Sequence, residues 1–159
     1  MGTKALFYEM ICIITIVASA SNVSAELGDV EIRNIITTIA KAYTDFSATK
    51  DPQSVLRFYG KTFAGIQDGE SSSLEDLRKY LSELDEQSKV DDSPVIAFTV
   101  PKIETYVIGT AGWAIWDYET KIGKEGALLY ERGKCTTIFS KQDATWLIQH
   151  QHCSSLLSH

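Results

Sequence analysis

The chain has few of the features that would name a chemistry outright. It holds only 3 cysteines and 3 prolines in 159 residues, and no internal repeat. Basic residues are outnumbered, 15 Lys and Arg against 21 Asp and Glu, giving a formal net charge of -6. A phosphate-binding surface needs an excess of Lys and Arg, so no nucleic acid is expected as a partner. No apolar run reaches the ~20 residues that span a bilayer, so no stable membrane span is expected. A Ser nucleophile elbow, a phosphate loop and a usefully spaced Cys/His dyad are also missing. What is present is ordinary for one domain with a real core: 44% hydrophobic and 23% charged residues.

The N-terminus stands apart. A weakly positive start, Met1 to Lys4, leads to an apolar run from Met10 to Ala18 and then to small residues. This is the grammar of a secretory signal peptide. Cleavage fits after Ala20 or Ala25, with Ala25 preferred, so residues 1–25 form the signal and 26–159 the domain. A secreted or periplasmic protein is expected; the alternative is a buried N-terminal helix. Cys12 lies inside the apolar run, which does not suit a lipid anchor.

Beyond the leader, Val30, Ile32, Ile35, Ile36, Ile39, Ala40, Tyr43 and Phe46 recur at helical spacing, with Asp29 as a candidate N-cap. Asp51-Pro52 opens a short helix that Gly60 would end. Lys61 to Asp68 suits a short strand, and Gly69 to Ser73 a loop. Ser72-x-x-Glu75 then caps a helix with Leu74, Leu77, Leu81 and Leu84 on one side. After Asp91-Asp92-Ser93-Pro94 the pattern changes to four strands: 95–106, 111–121, 127–140 and 145–154. Pro101 makes the first of these a bent or edge strand. Helices first and an antiparallel meander after them predict an α+β fold.

Three features sit where they do in one known group: Gly109-Thr110-Ala111, Gly133, and the closing Trp146-Leu-Ile-x-His-x-His-x-Ser154. With the element order, they make residues 28–155 resemble the NTF2-like superfamily, in its SnoaL-like group. Ala144 departs from the family's usual glycine in the last turn, and Cys135 and Cys153 are not family features. The resemblance implies a cone-shaped (cystatin-like) fold, N-terminal helices packed on a curved antiparallel sheet of about four long strands. It also implies a cone that can hold a small apolar ligand, and a homodimer formed sheet to sheet. An apolar sheet face left uncovered by three helices points the same way.

Side chains in a strand alternate between faces. Trp146, Ile148, His150, His152 and Ser154 therefore share one face of the last strand, while Cys153 takes the other. With the turn at 141–144, Cys135 falls opposite His150, and a disulfide with Cys153 requires a bulge that shifts the pairing by one. In the strand 111–121, Trp113, Ile115, Asp117 and Glu119 alternate with Gly112, Ala114, Trp116 and Tyr118. If Trp113 and Ile115 face the cone, Asp117 follows them to its mouth.

The candidates for proton transfer are thus His150, His152 and Asp117, since His titrates near neutrality and a desolvated carboxylate has a raised pKa. The plain alternative is a pair of hydrogen-bonding histidines at the sheet rim. Tyr43, Phe46, Trp113, Ile115, Phe139, Trp146 and Ile148 are the expected pocket lining, though core packing reads the same way. A zinc site would need a third ligand beside His150 and His152, from Asp117, Glu119 or Cys135. No metal and no cofactor are expected. Three functions stay open: an exported binder of a small apolar molecule, an isomerase, cyclase or hydratase, and an interaction module with a filled cone. A void of at least ~300 Å³ separates the first two from the third.

Overall fold

The computed structural model describes residues 3–88, 95–124 and 127–156, with side chains described for 25–86, 97–123 and 129–156. The apolar run at 10–18, Cys12 and the 91–94 break have no described side chains, so the readings placed on them lie outside that range. The long helix α1 (Thr3–Thr49) is followed by a single turn, α2 (Gln53–Leu56). A hairpin of β1 (Tyr59–Gln67) and β2 (Glu70–Ser73) leads into α3 (Leu74–Ser88). Four long strands close the chain: β3 (Val95–Ile108), β4 (Ala111–Lys124), β5 (Ala127–Gln142) and β6 (Thr145–Ser155).

These strands form one curved, unclosed sheet in the order β2-β1-β6-β5-β4-β3. The α+β class is as the sequence predicts, with six strands in place of about four. The sheet is mixed, because β1 runs parallel to β6. Pro101 does lie in an edge strand, at the irregularity between Thr99 and Lys102. Of the stretch expected as a loop, 69–73, residues 70–73 are instead β2: the Asp68-Gly69 turn has positive φ at both residues, which suits a two-residue hairpin.

α1 lies across the inner face of the sheet on β3 and β4. Its stripe of Ile32, Ile36, Ile39 and Phe46 is buried, as helical spacing requires. Asp29 does not cap it, because the helix runs through that position. Gly28 explains the close approach: a Cβ there would sit 3.1 Å from Val107 and 3.3 Å from Trp146. The Thr44 hydroxyl accepts the Phe98 N–H at 3.0 Å, tying the helix to the edge strand. Asp51 accepts the Gln53 N–H at 2.9 Å and so starts α2. α3 is capped one residue later than expected: Ser73 N–H donates to Asp76 Oδ2 at 2.8 Å, and Asp76 N–H returns to Ser73 Oγ at 3.3 Å. Its Leu81 is fully buried. Among the described residues no helix is long and apolar enough to cross a membrane.

Candidate functional site

Which residues line the inner face is decided by two local features. In β4, Gly112 and Ala114 are the buried set together with Trp116, Tyr118 and Thr120. The small pair forms the seat for α1, and Gly112 has Ile32 directly against it. A bulky residue could not occupy that seat, so Trp113 is turned outward, where it stacks on Tyr106 at 5.2 Å. Asp117 goes out with it. The reading that puts Trp113, Ile115 and Asp117 in the cone is therefore corrected by one residue of parity.

The second feature is a bulge in β6. Phe139 pairs with Ile148, but the preceding Ile138 pairs with His150, so Gln149 is extra. Before it Trp146 and Ile148 point inward; after it Gln151 and Cys153 do, with Trp146, Ile148 and Cys153 buried and Gln151 half-buried. The turn is also tighter than expected, Asp143-Ala144 alone, with Gln142 opposite Thr145. Cys135 then stands opposite Cys153, and the two form a disulfide. His150 and His152 are carried to the outer face beside Ile138 and Thr136.

The inner face encloses a cavity of about 580 Å³ between the sheet, α1 and α3. Its walls include Tyr43, Tyr59, Phe63, Phe98, Trp116 and Ile148, and the disulfide contributes to its lining. Phe98 stacks between Tyr43 at 5.7 Å and Tyr118 at 5.9 Å. Tyr59 meets Phe63 edge to face at 4.8 Å. Burial pushes the phenols of Tyr43 and Tyr59 up, so both stay protonated and act as hydrogen-bond groups at neutral pH. The Tyr59 hydroxyl reaches Gln151 Oε1 at 3.5 Å. Trp116 Nε1 donates to Thr137 Oγ1 at 2.9 Å, which leaves the indole satisfied inside the wall.

At one end of the cavity the lining turns polar. The Tyr118 hydroxyl donates to Glu131 Oε1 at 2.6 Å, and Ser155 Oγ lies 2.9 Å from the same oxygen. Ser155 also holds Asp68, through its N–H at 2.6 Å and its hydroxyl at 2.8 Å. These bonds, the backbone one first, keep the Asp68 carboxyl below its usual range. Burial, and then the bond to Glu131, push the Tyr118 phenol up. Gly133 makes room for this ring, since a Cβ there would stand 2.6 Å from it.

Of the lining expected from sequence, Tyr43 and Ile148 border the cavity. Phe46 and Phe139 are deep core, and Trp146 is buried at the α1 end, its Nε1 donating to Glu31 at 2.8 Å. Trp113 and Ile115 lie on the opposite face. Asp117 is paired there with Lys134 at 2.6 Å. The structure thus brings none of His150, His152 and Asp117 into the cavity lining. Sequence reasoning missed Tyr59, Tyr118, Glu131, Gln151 and Asp68. One signal for the bulge was present: Trp146, Ile148 and Cys153 all favour the interior, and strict alternation cannot bury all three. Among the described residues no group of three His, Cys, Asp or Glu is placed to hold a metal.

A helix-backed open cone with a half-enclosed apolar cavity defines the NTF2-like class of fold. The chain belongs to the SnoaL-like domain family, which matches residues 20–158. It is similar to a provisionally assigned dehydratase of the NTF2-like family from Streptomyces avermitilis, with 12% identity, TM-score 0.68 and 84% of this chain and 99% of that one covered. It is similar also to a provisionally assigned aromatic ring hydroxylase from Novosphingobium aromaticivorans, at 13% identity, TM-score 0.68 and coverage of 83% and 92%. An NTF2-like protein of unknown function from Prochlorococcus marinus shares 20% identity at TM-score 0.62, with 81% and 93% covered. At such identities these likenesses concern the fold alone. No curated protein matches the chain.

Proposed function

We propose that this protein is an exported SnoaL-like domain that binds a small, largely apolar molecule in its cone. The observation that carries the reading is the cavity of about 580 Å³, apolar along its walls and polar at one end. That volume is well inside the range of small-molecule sites and too large for a cone filled by its own side chains. Export is supported by the signal-like N-terminus and by the disulfide, a bond that persists in oxidising compartments. Residues 1–25 would be removed, and N-terminal sequencing of secreted or periplasmic material should begin at Glu26.

Binding is tested with N-phenylnaphthylamine, a neutral apolar dye that brightens out of water. Its fluorescence should rise and saturate on the native protein. Ile39→Trp, which projects a larger ring from α1 into the cavity, should abolish the rise while thermal unfolding stays cooperative. An unchanged signal in that variant would place the dye elsewhere and reject the reading. The domain is proposed to work as a homodimer through the outer face, where Tyr106 and Ile138 are exposed beside Trp113. Sedimentation at micromolar concentration should give twice the monomer mass, and Ile138→Asp should return it to one.

Proton transfer is the second reading. It rests on Glu131 and Tyr118, which line the cavity, rather than on His150, His152 or Asp117. Deuterium exchange at the enolisable carbon of a cyclic ketone such as tetralone, lost in Glu131→Gln, would favour it over binding alone.

A further inference from the structure

The charge of the cavity is one-sided. Three carboxylates border it, Asp68, Asp76 and Glu131, and no Lys, Arg or His does among the described residues. Lys79 acts on Asp76 through charge, and that lysine also approaches Glu83 at 3.9 Å. Its other walls are aromatic, with Tyr43, Phe98, Trp116 and Tyr118 contributing ring surface. A neutral apolar ligand needs the rings but has no use for the carboxylates. An anion would be repelled by them and would lose its hydration without gaining a partner.

The hydrogen-bond count at the polar end sharpens this. Ser155 Oγ lies 2.8 Å from Asp68 Oδ2 and 2.9 Å from Glu131 Oε1. A hydroxyl carries one proton, so it can satisfy only one of these two carboxylates at a time. Tyr118 donates a second bond to Glu131, and Asp68 takes the Ser155 backbone N–H at 2.6 Å and the Gln67 amide at 3.0 Å. Two carboxylates bracketing one hydroxyl have acceptor capacity to spare, and a group with several N–H donors and a positive charge would complete it. Aromatic rings add to the preference, since their faces attract cations.

We infer that the natural ligand is an organic cation, a hydrophobic amine with its ammonium group at Asp68 and Glu131 and its apolar body between Tyr43, Phe98 and Trp116. This rests on the proposed binding function and narrows it to one chemical class. Asp68 and Asp76 are both held below the usual carboxylate range by their hydrogen bonds, so they stay ionised at neutral pH.

The test uses three indoles of one shape and different charge on the disulfide-bonded protein: tryptamine, tryptophol and indoleacetate. Calorimetry at neutral pH should find tryptamine tighter than tryptophol by roughly tenfold, with indoleacetate weakest. Glu131→Gln and Asp68→Asn keep the shape and remove the charge. Each should weaken tryptamine by about threefold or more and leave tryptophol within about twofold, which also reports that the variants are folded. Equal or tighter binding of tryptophol or indoleacetate overturns the cationic class and leaves the binding function standing. So does an undiminished tryptamine preference in the double variant, or dye binding with no binding of any indole. Failure of both the dye and the indoles would reject the binding function itself.

Discussion

The two faces of the sheet are made by the same strands and differ in kind. On β5, neighbouring residues Ile138 and Phe139 are 45% and 1% exposed. The inner face carries rings, a disulfide and carboxylates around a void. The outer face carries Trp113 stacked on Tyr106, the Asp117–Lys134 pair, and the two histidines. Adjacent residues thus belong to different environments, and the assignment is a matter of parity alone. A pattern that looks like a catalytic pair in the sequence can be an outer-surface pattern once a single residue is inserted.

The comparison is broken most severely at β5 itself. Phe139→Ala should cost about 3–5 kcal/mol, as large-to-small changes of buried Phe do, whereas Ile138→Ala should cost under about 1 kcal/mol in the monomer. Urea midpoints of the two variants measure the contrast, and similar losses would mean the faces are assigned wrongly. Next in size is the bond that the bulge permits. Cys135 and Cys153 are separated by 18 residues, and replacing both with Ala should cost about 2–4 kcal/mol. A melting comparison of oxidised, reduced and doubly substituted protein should show the last two alike.

A smaller gain is expected at the turn that sets the register of both faces. Asp143 and Ala144 both have positive φ, at 47° and 67°. Ala is strained there and Gly is not, so Ala144→Gly should stabilise by about 0.5–1 kcal/mol after its greater unfolded-chain entropy is counted. Asp143→Gly would test the same turn from its other side. The smallest effect concerns acid. The folded pKa of Asp68 is depressed by Ser155 and Gln67, so its contribution is present above the unfolded carboxylate value of ~3.9 and is lost as pH falls through the folded one. Asp68→Asn should therefore lose stability at pH 6 and match the native protein at low pH, as urea midpoints across that range would show.

How much of this was legible follows from the kind of signal each residue carries. The stripe of α1 was legible, because helical spacing marks Ile32, Ile36, Ile39 and Phe46 as one face and only one face can be buried. The α3 leucines were legible for the same reason. Strand limits were close, since Gly109-Thr110 and the glycine-rich 122–126 stretch separate alternating runs. The hairpin strand β2 was not, because Gly69 to Ser73 is polar and pairs only along the edge of the sheet. Of the site, Tyr43 and Ile148 were reached; Glu131, Tyr118, Gln151 and Asp68 were not.

The amino-acid sequence by itself determined the α+β class, the order of the elements, the likeness to SnoaL-like domains and the sets of residues that share a strand face. It could not determine which set is inside, because a period of two is symmetric between the faces. That choice fell to the tertiary structure. Gly112 and Ala114 admit α1 against β4, and pairing with β5 places the extra residue at Gln149. Together they turn Asp117, His150 and His152 outward and bring Cys153, Gln151 and Glu131 to the cavity. A bulge needs no glycine or proline; the mismatch of Trp146 and Ile148 with Cys153 signals one somewhere between them, but its position is chosen by the burial of side chains far apart in the chain.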